Sequence, residues 1–382
     1  MARAGTMAGY AKWKWGGGAA IILAFILLWD PFHRAIFSAH LALSFQKVAS
    51  GATGQGLPVK EIKVRRQFLG QDYEALVYHP AEYAARRAVI LVPGLSELGC
   101  YHPRLVALAR FLADQGLLVI TPDIREFRQF QISAEPIDQI LFWYRQTPGL
   151  EGGAKVLKTG LAGISYSGTL ALIAAAKPEI RTQVGFVVAI GPYSSLIRCT
   201  RDWFAAVPET AGSEYYPTKF YAKWIVMLAA LDMVVDSKER LFLHEVLDDL
   251  LLQKKVPSAG SRISAEGARW YALATMPANQ SDPELALEIE KHLVPRIYLK
   301  LDPGQTLDKI RCPVFLVHGA YDDLIPPGES LELHRRIADS HVLISPFLTH
   351  THPTDTPLSV SQKLSAVLDT LSFCYQISKV IR

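Results

Sequence analysis

The sequence predicts an α/β fold built on a mostly parallel sheet. Short apolar runs of strand length recur along the chain with helical segments between them, which is the signature of strands joined by crossover helices. Runs such as Ala88-Val89-Ile90-Leu91-Val92 are continuously apolar rather than alternating, as strands buried on both faces are. Pro93-Gly94 and Pro122-Asp123 then stop two of them.

Taken in order, Glu61 to Leu69 and Tyr73 to Tyr78 read as a hairpin around Gly70-Gln71-Asp72. Ala88 to Val92 is the third strand. A helix over Pro103 to Gln115 ends at Gly116, and Leu117 to Thr121 is the next strand. A helix fits Ile137 to Arg145, a strand Thr159 to Gly163, a small-faced helix Tyr166 to Ala176, and a strand Val184 to Ile190. The alternation then breaks. Tyr193 to Lys309 has helical pattern throughout and carries Trp203, Phe204, Tyr215, Tyr216, Phe220, Tyr221, Trp224, Trp270 and Tyr271, so it reads as a helical insertion. Strand Val314 to His318, helix Glu329 to Ile337, strand His341 to Ser345 and helix Val360 to Tyr375 complete an eight-stranded scheme.

A length of 382 residues with half of them apolar supplies a large core. The formal net charge of +4 is small for this length, and no basic block with interleaved aromatics occurs, which argues against nucleic-acid binding. Cys100, Cys199, Cys312 and Cys374 are far apart without a C-x-x-C, the pattern of buried thiols rather than of a zinc site; the even count leaves disulfides open.

The N-terminus differs in kind. Arg3, Lys12 and Lys14 precede an apolar run from Trp15 to Trp29, stopped by Asp30-Pro31. We read residues 1–50 as a membrane anchor with its flank, and the cationic side places the body on the non-cytoplasmic face. The run is short against the roughly 20 apolar residues that a span needs. Ala35 to Phe45 extends it or lies along the membrane surface. A signal peptide cleaved near Ser38 to Ala42, or an interfacial or buried helix, is the alternative. Ser50 to Pro58 reads as a linker.

The sharpest chemical signal is Gly163-Ile164-Ser165-Tyr166-Ser167-Gly168, between an apolar strand and a small-residue helix. A nucleophile on such a turn projects its hydroxyl off the sheet, and the positions two before and two after it must be small. Ser167 stands where the G-x-S-x-G pattern has its second glycine. A serine needs an adjacent base and a carboxylate to orient that base. Asp322, just past the strand ending at His318, is the candidate carboxylate, with Asp323 the alternative. The base comes from Thr349-His350-Thr351-His352 after the last strand: His350, with His352 the alternative. A His-x-His pair also suits a metal, but no third ligand accompanies it.

From about residue 60 to the end, these pieces resemble the α/β-hydrolase superfamily: Leu91-Val92-Pro93-Gly94, Val119-Ile120-Thr121-Pro122-Asp123, the Ser165 turn, and His318-Gly319-Ala320-Tyr321-Asp322-Asp323-Leu324-Ile325-Pro326, with Ser165, Asp322 and His350 in the family's order. The resemblance implies a core over residues 51–192 and 310–382 and a helical lid over 193–309. It also implies an oxyanion hole made by the backbone N–H groups of Leu95 and Tyr166. Many relatives carry His-Gly where this chain has Pro93-Gly94, which blurs the substrate class. The expected activity is hydrolysis of a carboxylic ester or related acyl bond of a small-molecule or lipid-like substrate, without a cofactor. Acyl transfer or peptide cleavage on the same residues, and a non-catalytic binding module of the same fold, are the alternatives.

Overall fold

The computed structural model describes residues 32–44, 46–48, 51–68, 70–205, 216–260, 263–275, 282–350 and 357–381. Helix α1 (residues 32–44) leads into the hairpin β1 (Val59–Phe68) and β2 (Gln71–Pro80). There follow β3 (Arg87–Val92), α2 (Pro103–Asp114), β4 (Leu117–Asp123), α3 (Arg125–Arg128), α4 (Glu135–Gln146), β5 (Lys158–Ile164), α5 (Tyr166–Ala175) and β6 (Val184–Ile190). A helical stretch comes next: α6 (Leu196–Phe204), α7 (Tyr216–Ala229), α8 (Ser237–Leu251), α9 (Ala265–Thr275), α10 (Pro283–Leu293) and the short α11 (Leu299–Leu301). The chain then returns to β7 (Val314–Gly319), α12 (Gly328–Arg336), β8 (Ser340–Ser345) and α13 (Val360–Ile381).

The eight strands form one sheet in the order β1-β2-β4-β3-β5-β6-β7-β8. β1 and β2 pair antiparallel, as does β2 with β4, and every other pair is parallel. The central strands are apolar on both faces because each face is covered. One core, with Val77, Ile90, Leu161, Val187 and Leu316, packs against α4, α5 and the helical stretch. The other, with Val89, Leu91, Val119 and Phe315, packs against α2, α13 and α1. All four cysteines are buried free thiols.

The membrane expectation is overturned. No helix among the described residues is long and apolar enough to cross a membrane, so neither a transmembrane anchor nor a non-cytoplasmic body has support. The run from Trp15 to Trp29 lies outside the described residues. Residues 35–44, expected to extend that anchor or to lie in the interface, belong to α1 and pack on the body instead. Leu41 joins the second core, Ser38 is buried, and Arg34 Nη1 donates to Ser378 O on α13 at 3.1 Å. Helix α13 has 22 residues but carries Lys363, Asp369 and Lys379, and its buried face belongs to the second core.

Candidate active site

The parallel strands β5, β6, β7 and β8 all end on one rim, and the candidate residues leave the chain there. Ser165 sits between β5 and α5 with φ 59° and ψ −128°. Two backbone bonds hold that conformation: Ser165 N donates to Ile190 O at 2.6 Å, and Gly168 N to Ser165 O at 2.9 Å. The turn is tight because position 163 has no side chain. A methyl there would come within 2.2 Å of Ser167 O.

Ser167 does more than a glycine would. It is fully buried, its Oγ accepts from Ile164 N at 2.8 Å, and it lies 3.0 Å from both Val92 O and Ile164 O. The hydroxyl therefore ties the turn to β3.

Asp322 follows β7 and His350 follows β8. At Gly319 the backbone of the β8 loop presses against β7: a methyl on Gly319 would lie 2.4 Å from Thr349 O and 2.5 Å from Leu348 O. That approach carries His350 to Asp322. His350 Nδ1 donates to Asp322 Oδ2 at 2.7 Å, so its Nε2 is free to accept from Ser165 Oγ, 2.9 Å away. The structure thus brings Ser165, His350 and Asp322 into one hydrogen-bonded chain. It is Asp322, not Asp323, that meets the histidine, and His352 lies outside the described residues.

The Asp322 side chain is 1% exposed. Burial pushes its carboxyl up, but hydrogen bonds and charge from His318 and His350 more than offset this and hold it well below the usual carboxylate range. Oδ1 also accepts from Leu324 N at 3.0 Å and Ile325 N at 2.9 Å.

No protein-family model matches the sequence, and a comparison with curated proteins gives no match. Solved structures do match. The crystal structure of 2,6-dihydroxy-pseudo-oxynicotine hydrolase aligns over 88% of this chain and 73% of that one, at 14% identity and a TM-score of 0.50. The chain has the α/β-hydrolase fold. Est1E from Butyrivibrio proteoclasticus aligns over 83% of this chain and 99% of its own, at 14% identity and TM-score 0.47. An acylaminoacyl peptidase from Pyrococcus horikoshii aligns over 85% of this chain but 41% of its own length, at 12% identity and TM-score 0.48.

In this α/β-hydrolase fold the loop after β3 runs against the Ser165 turn. A methyl on Gly94 would lie 3.3 Å from Ile164 O and 3.9 Å from Ser165 Cβ. The N–H groups of Leu95 and Tyr166 have no hydrogen-bond acceptor among the described residues. Tyr166 is buried, and its hydroxyl donates to Ser133 O at 2.8 Å and accepts from Ser133 N at 3.0 Å. The first residue of α5 is therefore locked in place.

Several contacts at this rim had no signal in the sequence reading. Tyr221 on α7 donates to Leu95 O at 2.8 Å, and Trp203 on α6 donates to Leu324 O at 2.6 Å. The helical stretch between β6 and β7 thus touches the loops that carry Leu95 and Asp322. Its other aromatics are divided: Phe204 and Trp270 are buried in the first core, and Trp224 donates to Ala274 O at 2.9 Å. Glu329 at the start of α12 accepts from Ser194 N, Ser194 Oγ and Ser195 N at 2.8, 2.7 and 3.0 Å, and from Arg198 Nε at 2.6 Å. It braces the loop after β6 against the Asp322 loop. A glutamate seven residues past an aspartate carries no motif that would have revealed this. Among the described residues no group of three or more His, Cys, Asp or Glu is placed to hold a metal ion.

Proposed function

We propose that the protein is a serine hydrolase that cleaves a carboxylic ester or related acyl bond through an acyl-enzyme. The observation that carries this reading is the Ser165–His350–Asp322 chain seated on a strained turn between β5 and α5. His350 Nε2 takes the Ser165 proton as Oγ attacks the acyl carbon, then returns it to the leaving alcohol. Asp322 holds the tautomer with the proton on Nδ1 and stabilises the imidazolium that forms. The N–H groups of Leu95 and Tyr166 receive the charge that develops on the acyl oxygen, where one such donor is worth about 3–4 kcal/mol. Water, activated by the same histidine, then releases the acid and restores Ser165.

Residues 193–309 act as a lid. The support for this is the reach of Tyr221 and Trp203 to the Leu95 and Asp322 loops. A small-molecule or lipid-like acyl substrate fits a site walled in this way.

The test is covalent labelling with a fluorophosphonate probe, with turnover of p-nitrophenyl esters of graded chain length. Wild-type protein labels at Ser165, and Ser165→Ala abolishes labelling and lowers turnover by about four orders of magnitude or more while the protein still unfolds cooperatively. Labelling without ester turnover moves the reading to acyl transfer or peptide cleavage. A folded wild-type protein that does not label refutes it in favour of a non-catalytic role.

A further inference from the structure

A second histidine stands behind the first. His318, near the end of β7, has a side chain with 0% exposure, and its Nε2 lies 3.2 Å from Asp322 Oδ2. The same nitrogen lies 2.7 Å from Ile325 O. A carbonyl oxygen can only accept, so Nε2 carries a proton and donates it to Ile325 O, with Asp322 Oδ2 alongside at 3.2 Å. The other ring nitrogen, Nδ1, lies 2.7 Å from the fully buried Ser330 Oγ of α12. With one partner on each side and no solvent, the ring has a single available orientation.

The consequence falls on Asp322. Its Oδ1 takes two backbone donors, and its Oδ2 lies between two histidine nitrogens, the hydrogen-bonded His350 on the side of Ser165 and His318, 3.2 Å away, on the other. All four positions around the carboxylate are filled in a site closed to water. Remove His318 and Oδ2 is held by His350 alone, the partner that the carboxylate is supposed to orient.

We propose that His318 is a positioning residue for the Ser165 reaction: it clamps Asp322 Oδ2 and the Ile325 carbonyl, so that the carboxylate meets His350 in one fixed plane. This rests on the hydrolase reading above and adds to it a residue acting through Asp322 rather than on the substrate.

The ring's two nitrogens can be replaced one at a time. In His318→Gln the side-chain amide nitrogen falls where Nε2 was, with two protons for Asp322 and Ile325, but nothing faces Ser330. In His318→Asn the amide reaches only as far as Nδ1, so it faces Ser330 and leaves Asp322 unclamped. His318→Met removes both and serves should the asparagine variant fail to fold.

The rate constant of fluorophosphonate labelling at Ser165, and kcat and KM for a short p-nitrophenyl ester, are measured on each variant with thermal unfolding as the folding control. The asparagine and methionine variants label and turn over about tenfold to a hundredfold more slowly, the loss expected for one charge-assisted hydrogen bond. Their KM stays within about twofold, because His318 does not touch the substrate. The glutamine variant recovers the rate to within about threefold of wild type.

A merely structural histidine would rank the variants by stability, without the split between glutamine and asparagine. Folded asparagine or methionine variants with wild-type rates overturn the proposal, as does a glutamine variant as slow as they are. A wild-type protein that does not label at Ser165 sinks the nucleophile reading itself, and this inference with it; Ser165→Ala marks that baseline.

Discussion

Ser165 occupies a backbone conformation, φ 59° and ψ −128°, that belongs to glycine. A residue with a Cβ is held there at a cost of about 1–3 kcal/mol. Replacing it tells two things apart. Ser165→Ala removes the hydroxyl but keeps the Cβ, and with it the strain. Ser165→Gly removes both, although glycine gives back about 0.5–1 kcal/mol through the larger freedom of its unfolded chain. Both variants lose the 2.9 Å contact to His350, so that loss cancels in the comparison. The glycine variant is therefore expected to be about 1 kcal/mol more stable than the alanine variant. In a chain of this size that moves the thermal midpoint by about 1 °C. Differential scanning calorimetry at one scan rate reads the difference, and fluorophosphonate labelling confirms that both variants are dead. A glycine variant more stable than the alanine variant shows that a Cβ at this position is strained, and hence that Ser165 stores strain at the reacting residue. A glycine variant that melts below the alanine variant would show that the turn does not hold this conformation, and the account of how Ser165 is presented would fall with it.

Two further substitutions test the surroundings. Ser167→Ala leaves Ile164 N without its acceptor in a fully buried turn, which costs about 1–3 kcal/mol in urea unfolding while labelling at Ser165 persists; unchanged stability would mean that the hydroxyl is not the tie between the turn and β3. Glu329 is buried, which by itself raises its carboxyl, but hydrogen bonds from Arg198 and Ser194 outweigh this and lower it. A carboxyl lowered in the folded state contributes stability that is present above its unfolded value of about 4.5 and is lost as pH falls through the folded value. Glu329→Gln is expected to be less stable at neutral pH and to show a shallower fall of the urea midpoint between about pH 6 and pH 3; an acid slope equal to that of wild type refutes the assignment.

Much of this protein is legible in one dimension. The inner strands β3 to β7 announce themselves because a strand covered on both faces is largely apolar, so its run survives in the bare sequence as a block; Val184–Ile190 is found where the sequence places it. The Ser165 turn is legible because strand and helix leave no room beside it, which writes small residues at 163 and 167. The places of Ser165, Asp322 and His350 are legible too, because each comes shortly after a strand, β5, β7 or β8, and these strands end on one rim.

Other features are decided only by the fold. Two histidines two residues apart look alike in sequence, and it is the press of the Leu348 and Thr349 backbone on Gly319 that delivers His350 to Asp322. Tyr221 meets Leu95 across 126 residues of chain, and no local pattern encodes a contact made by a helix from elsewhere. The sharpest lesson is α1. Its apolar positions suit a lipid surface as well as a protein one, because hydropathy records only that a face avoids water. What covers Leu41 is the core it shares with Phe373 and Ile377 on α13, a matter of where two distant ends of the chain are brought together.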